Sequence, residues 1–161
     1  GWQVGDEGGG YWLGRRALAA AARSHDGLEE SSTLLERLLV ALGLQTFDDL
    51  IRWSATATPG QVAALAPHVL NAAREGEIIA QRIVADGAVE LSHLVRVLTK
   101  HFAETEQVKL ATMGGLLRPG SPLLTALRTG LAAELPRARL SESGSAIDAP
   151  VGALRLAAEL I

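Results

Sequence analysis

The sequence predicts a helix-rich α/β fold with an incomplete sheet. The 161 residues are 48% hydrophobic but only 4% aromatic, so Leu, Ala, Val and Ile must form most of the core, and Ala and Leu favour helix. Most segments repeat their apolar residues at helical spacing. Only two short runs, residues 108–112 and 138–140, are typical of strands, and a helical segment separates them. Alternation of strand and helix indicates α/β, although two strands are too few for a complete sheet.

The first third of the chain predicts turns and helices in alternation. Residues 1–4 could end a strand, and a glycine-dense turn follows over residues 5–10. Apolar spacing predicts a helix over residues 11–24. Thr33 and Glu36 predict a capping box for a helix that ends before Gly43.

The middle of the chain carries stronger start signals. Thr46 is the predicted cap of a helix over residues 47–53. Thr58 with Pro59 predicts another helix start, Pro67 breaks or restarts that helix, and Gly76 ends it. The longest amphipathic stripe predicts a helix over residues 78–102.

The last third contains both predicted strands. The strand at residues 108–112 leads into Gly114 and Gly115, and a helix starting at Ser121–Pro122 ends before Pro136. Residues 138–140 are a predicted edge strand. A final helix is predicted to start at Pro150 and to run through Leu160.

Composition excludes several classes of function. A net charge of −3 without a run of Lys or Arg predicts no nucleic-acid or acidic-membrane partner. The absence of cysteine excludes thiolate or iron–sulfur ligands from this chain, and the four histidines lack metal-ligand spacing. The chain contains neither a membrane-length apolar run nor a signal-peptide pattern, which predicts a cytoplasmic protein. Because the chain opens without methionine, we expect it to be part of a longer protein.

The first motif places two carboxylates on the glycine turn before a predicted helix. Asp6 or Glu7 could simply cap the helix and interact with its dipole. Alternatively, Asp6 could accept hydrogen bonds from ligand hydroxyls, with Trp2 as an apolar face for a sugar ring. Trp2 could equally be a core residue, and the local pattern leaves both alternatives open.

The second motif is the pair Gly114–Gly115 after a predicted strand. Glycines at such a position allow backbone amides to approach a nucleotide, where a side chain would block it. A plain turn is the alternative interpretation.

Four segments, in order along the chain, resemble N-acetylglucosamine kinases of the BadF/BadG/BcrA/BcrD ATPase family. They are Gly1-Trp2…Gly5-Asp6-Glu7-Gly8…Tyr11-Trp12-Leu13-Gly14, the 69–77 helix–Gly–acid junction, Leu110-Ala111-Thr112-Met113-Gly114-Gly115, and Pro150-Val151-Gly152-Ala153. The sequence departs from the family pattern at Gln3, Gly9 and Glu77, where glycine, serine and aspartate are usual.

The resemblance implies a fold and a set of contacts. Residues 1–161 would form the C-terminal lobe of the actin-like ATPase (ribonuclease H-like) fold, with the N-terminal lobe outside this chain. The resemblance implies sugar contacts from Gly1, Trp2 and Asp6, and nucleotide contacts from Gly114, Gly115 and Ala73.

The resemblance also implies the cofactors and partners of the intact protein. These are ATP and Mg²⁺, an amino-sugar substrate and the N-terminal lobe, and a homodimer is a further candidate assembly. The catalytic base and the phosphate-binding hairpin would lie in the other lobe, so no catalytic or metal-ligating residue is predicted here and the chain alone is expected to be inactive. Two alternatives stay open: an ATPase activator of the same family, and a non-catalytic sugar-sensing relative.

Overall fold

A computed structural model describes residues 2–29 and 32–141. Those residues form helices, with a 3-10 turn at Gly115–Leu117, and two short strands. In chain order the elements are α1 (Gly10–His25), α2 (Leu34–Leu42), α3 (Phe47–Thr56), α4 (Pro59–Ala63), α5 (Ala66–Arg74), α6 (Ile78–Thr99), β1 (Val108–Leu110), α7 (Pro122–Glu134) and β2 (Ala138–Leu140). The predicted helix from Pro150 lies outside the described residues.

Two of the predicted helix starts are confirmed in atomic detail. The Thr46 hydroxyl accepts from the Asp49 amide at 3.2 Å, and the Asp49 carboxylate accepts from the Thr46 amide at 3.0 Å. Thr58 and Gln61 form the same reciprocal pair at the start of α4, with Pro59 in the first turn. Pro67 lies in the first turn of α5, so it restarts a helix there.

The predicted capping box at Thr33 is wrong. Thr33 already has helical backbone angles (φ −79°, ψ −1°), from which its side chain makes no capping hydrogen bond. A capping side chain normally reaches the first turn from extended backbone. Instead, the Leu34 amide donates to the Ser32 hydroxyl at 3.1 Å.

Three predicted boundaries also differ from the structure. Residues 2–4 form a turn and no strand. The long helix α6 ends at Thr99, where the Arg137 guanidinium donates to the carbonyl oxygens of Thr99 and Ala103, each at 2.7 Å. The Thr99 carbonyl also accepts from the Phe102 amide at 3.2 Å, a bond to the third residue back in place of the fourth, so the regular helix has ended before residue 102. Strand β1 covers residues 108–110, so it ends two residues before the predicted end at residue 112.

Helix α6 is the centre of the core. It packs against α1, α5 and α7, and its buried face includes Ile79, Ile83 and Gly87. Helix α1 runs antiparallel to α6, because Arg16 pairs with Asp86 at 3.1 Å and Glu29, after the end of α1, pairs with Arg82 at 3.1 Å.

The Glu29 carboxylate joins the end of α1 to α6. A hydrogen bond from Arg23 holds the pKa of Glu29 below its usual range, and the Arg82 charge acts in the same direction while burial opposes it. Glu29 therefore stays ionised between two guanidinium groups.

The two strands form a parallel pair with α7 as their connection. Val108 aligns with Ala138 and Leu110 with Leu140. Parallel neighbours need such a crossover connection. The helix-rich α/β prediction is confirmed. Among the described residues, no helix is both long and apolar enough to span a bilayer.

Candidate functional site

An open depression of roughly 620 Å³ lies at the start of α1. The turn before the helix and the first turns of the helix line it, including Trp2, Asp6, Glu7, Tyr11, Trp12 and Arg15. The structure thus brings together two of the three predicted sugar-contacting residues, Trp2 and Asp6. Gly1, the third, lies outside the described residues.

Asp6 holds the beginning of α1. Its backbone carbonyl accepts from the Gly9 amide at 2.7 Å, and its carboxylate Oδ2 accepts from the Trp12 amide at 3.3 Å. The capping interpretation of Asp6 is therefore confirmed, and the negative charge lies at the positive end of the helix dipole. One carboxylate oxygen is used in this contact, which leaves the second as an acceptor for a ligand hydroxyl.

Gly9 provides the room for this carboxylate. A Cβ atom at Gly9 would lie 2.6 Å from Asp6 Oδ2, closer than any ordinary contact. A side chain at position 9 would therefore shift the Asp6 carboxylate. The departure from the usual serine thus affects the position of a predicted sugar contact.

Trp2 covers one side of the depression. Its indole packs edge-to-face on Tyr11 at a centroid distance of 5.3 Å and is 47% exposed, so Trp2 is not a core residue. The Arg15 guanidinium lies 6.0 Å from the Tyr11 ring centroid. An exposed indole beside a carboxylate offers both an apolar face and a hydrogen-bond acceptor.

The turn is seated on α6 through Gly8. Gly8 has φ +76°, and a Cβ there would lie 2.7 Å from both the Gly87 carbonyl oxygen and Leu91 Cγ. Only glycine combines this backbone conformation with so close an approach. Gly8 therefore fixes where the Trp2–Asp6 segment sits relative to the core.

The sequence analysis did not single out Gly87. An ideal Cβ at Gly87 would lie 3.4 Å from atoms of Trp12 and Leu13 and 3.5 Å from Leu123, so α1 and α7 meet over it. The signal was an isolated glycine inside a long helical pattern, which often has a packing reason.

The predicted nucleotide glycines lie in an open loop between β1 and α7. Gly114 has φ +100° and ψ 159°, and Gly115 begins the 3-10 turn. A Cβ at either position would meet no atom within 4 Å. The Ser121 hydroxyl donates to the Leu116 carbonyl and anchors the end of this loop. The backbone at both glycines is thus accessible to a flat group such as a purine.

Ala73, the third predicted nucleotide residue, has a different setting. Its side chain is buried in the core, and its carbonyl accepts from the Gly76 amide and from Gln81 Nε2. The adjacent Arg74 guanidinium donates to the Gly120 carbonyl at 3.5 Å. The α5 terminus and the glycine loop are therefore neighbours, but Ala73 presents no side chain to a ligand.

A magnesium site does not fit the described acidic residues. Across residues 2–29 and 32–141, no group of three or more His, Asp or Glu side chains could hold a metal ion. These acidic residues therefore do not fit the ion that accompanies ATP.

Comparison with known proteins assigns the chain to one family. Residues 1–157 match the BadF/BadG/BcrA/BcrD ATPase family. The chain is similar to an N-acetylmuramic acid/N-acetylglucosamine kinase of Clostridium acetobutylicum, with 29% identity over 140 residues, which are 85% of this chain and 46% of the relative.

A solved structure agrees with this match. The crystal structure of a candidate N-acetylglucosamine kinase from Chromobacterium violaceum superposes with a TM-score of 0.66 at 29% identity, over 88% of this chain and 46% of that protein. The chain thus spans less than half the length of either relative. It has the fold found in sugar kinases of the actin-like ATPase class, and it belongs to the BadF/BadG/BcrA/BcrD ATPase family.

Proposed function

We propose that this chain is the C-terminal lobe of an ATP-dependent kinase for an amino sugar such as N-acetylglucosamine. The observation that carries the proposal is the convergence of Asp6 and the exposed Trp2 indole in one depression. The family match and the names of the two similar proteins support it.

In this proposal the chain binds and orients both reactants. The carboxylate of Asp6 accepts hydrogen bonds from sugar hydroxyls, the indole of Trp2 covers one face of the ring, and Gly1 adds a backbone contact. Adenosine lies against Gly114 and Gly115. ATP held there would supply the phosphoryl group, and closure of a second lobe over the depression would exclude water. The catalytic base and the phosphate-binding hairpin belong to that second lobe, so this chain alone does not turn over ATP.

Asp6 provides the first test. Because a hydrogen bond to a charged group contributes roughly 1.5–3 kcal/mol, we expect Asp6→Ala to weaken N-acetylglucosamine binding by at least about tenfold. Asp6→Asn keeps an oxygen to accept from the Trp12 amide, so it separates loss of the sugar contact from loss of the helix cap. Sugar titrations followed by the Trp2 indole NMR signal measure both.

The matched control is Asp26→Asn, an exposed carboxylate at the other end of α1. It should leave sugar binding unchanged. If the Trp2 signal does not respond to the sugar, or if Asp6→Ala binds as well as the wild type, the sugar-contact role is wrong.

A chimera distinguishes the kinase from its two alternatives. Joining this chain to the half of the Clostridium acetobutylicum relative that it does not match should give ATP turnover that depends on N-acetylglucosamine. ATP hydrolysis without sugar would favour the ATPase activator. Sugar binding without any turnover would favour the sensing module.

Gly115→Ala tests the nucleotide contact separately. An added Cβ at Gly115 meets no protein atom within 4 Å, and Gly115 does not have positive φ, so the fold should be unaffected. The same methyl group would obstruct an adenosine lying against the backbone. We expect the KM for ATP in the chimera to rise by about fivefold or more, as for a misfit of 1–3 kcal/mol. An unchanged KM would remove Gly115 from the nucleotide site.

A further inference from the structure

Two arginines follow each other on α1, and the structure uses them differently. The Arg16 guanidinium pairs with Asp86 of α6 at 3.1 Å and lies 5.0 Å from the centroid of the Trp12 ring. Arg15 is exposed, and within the described part of the chain it makes no ion pair and no side-chain hydrogen bond. Arg16 therefore joins α1 to the core, whereas the five N–H donors of Arg15 stay available for a ligand.

Arg15 belongs to a row of three side chains that line the depression. Residues four apart in an α-helix lie on the same face, so Arg15 follows Tyr11 along α1. The Arg15 guanidinium lies 6.0 Å from the centroid of the Tyr11 ring, and the Trp2 indole lies 5.3 Å from the same ring. All three residues border the same open space. A sugar ring packed on Trp2 would therefore have the guanidinium only one aromatic ring away.

The charges of the depression are separated along α1. The Asp6 carboxylate accepts from the amide of Trp12 in the first turn of the helix. The Glu7 carboxylate lies beside the turn, where its Oε2 would be 3.4 Å from a Cβ atom at Gly5, and it does not pair with Arg15. Arg15 lies in the second turn of α1. The depression thus offers an acceptor for hydroxyl groups at one end and a cation without a partner at the other.

We propose that Arg15 binds a carboxylate carried by the amino sugar, so that the site prefers an anionic amino sugar to its neutral counterpart. A guanidinium and a carboxylate match in two parallel N–H···O bonds, which a neutral substituent cannot form with the same strength. The carboxylate reaches across Tyr11 to Arg15 while the ring hydroxyls stay with Asp6. This inference rests on the proposed sugar-binding function and adds the residue that selects the class of sugar.

A matched pair of ligands tests the proposal on the full 161-residue chain. N-acetylmuramic acid carries a carboxylate on its lactyl ether, and its lactyl amide has nearly the same size without the charge. Titrations followed by the Trp2 indole NMR signal should show about fivefold tighter binding of the acid, a modest factor because exposed ion pairs are weak. The preference should shrink at high salt, since salt screens an exposed pair.

Arg15→Gln should abolish this preference and leave the affinity for N-acetylglucosamine unchanged within about twofold. Arg128→Gln is the matched control, because it removes an exposed arginine from α7 and should keep the preference. Equal binding of acid and amide, with N-acetylglucosamine still bound, would overturn the role of Arg15 and leave the sugar site standing. A preference that survives in Arg15→Gln would overturn that role too. If none of the three sugars shifts the Trp2 signal, the proposed sugar site fails, and the role of Arg15 fails with it.

Discussion

Gly14→Ala should destabilise the protein by roughly 1–3 kcal/mol, although alanine is the better helix former. Gly14 is a buried residue inside α1, where the exchange would otherwise gain up to about 1 kcal/mol. An ideal Cβ at position 14, however, would lie 2.1 Å from the Val62 carbonyl oxygen and 2.9 Å from the Val62 carbonyl carbon. The obstructing atoms are backbone, so α1 and α4 must move apart. Overpacking of this kind costs roughly 1–3 kcal/mol and occasionally more.

Gly130→Ala is the control for Gly14→Ala. Gly130 is also inside a helix, α7, but its Cβ would lie 3.6 Å from Ser92 Oγ, an ordinary contact. Urea unfolding should show a gain of about 0.5–1 kcal/mol for Gly130→Ala. Equal changes in the free energy of unfolding for the two variants would mean that α1 does not approach α4 as closely as described.

Local signals in the sequence predicted most helix boundaries. Thr46 and Thr58 were identified as caps because a capping box joins residues only three positions apart. Thr33 and Glu36 have the same spacing, but that prediction failed. The Leu34 amide instead donates its hydrogen bond to the hydroxyl of the neighbouring Ser32. The apolar spacing continues to Phe102 although α6 ends at Thr99, so periodicity alone did not locate this boundary.

The candidate site was predictable to a different extent. The sequence predicted a carboxylate at the start of α1, because Asp6 lies in the glycine turn before the helix. The structure confirms this prediction. The closeness of that turn to α6 did not follow, because Gly8 and Gly87 lie far apart in sequence and meet only in the fold. For the same reason the exposed C-terminal part of the apolar stripe on α6 could not be distinguished from the buried part. Periodicity identifies an apolar face but not the length over which another element covers it.

Leu123→Ala should destabilise the protein by roughly 2–5 kcal/mol, the usual range for a buried leucine. Leu123 is completely buried at the beginning of α7, and a Cβ added to Gly87 would lie 3.5 Å from Leu123 Cδ1. Truncation leaves a cavity at the crossing where α1 and α7 meet over α6. That crossing joins the helix that starts at the Trp2–Asp6 depression to the helix that follows the glycine loop. We therefore expect loss of global stability and not only local fraying of α7.

Leu28→Ala is the matched control, because the same atoms are removed from a side chain that is 64% exposed. Its free energy of unfolding should change by no more than about 0.5 kcal/mol. Hydrogen exchange shows whether the loss is shared, since amides of α1, α6 and α7 should lose protection together in Leu123→Ala. Loss confined to α7 would indicate that the two candidate sites rest on separately stable parts of the lobe. Shared loss would instead show that the packing over Gly87 holds the Asp6 turn and the Gly114–Gly115 loop in one cooperative unit.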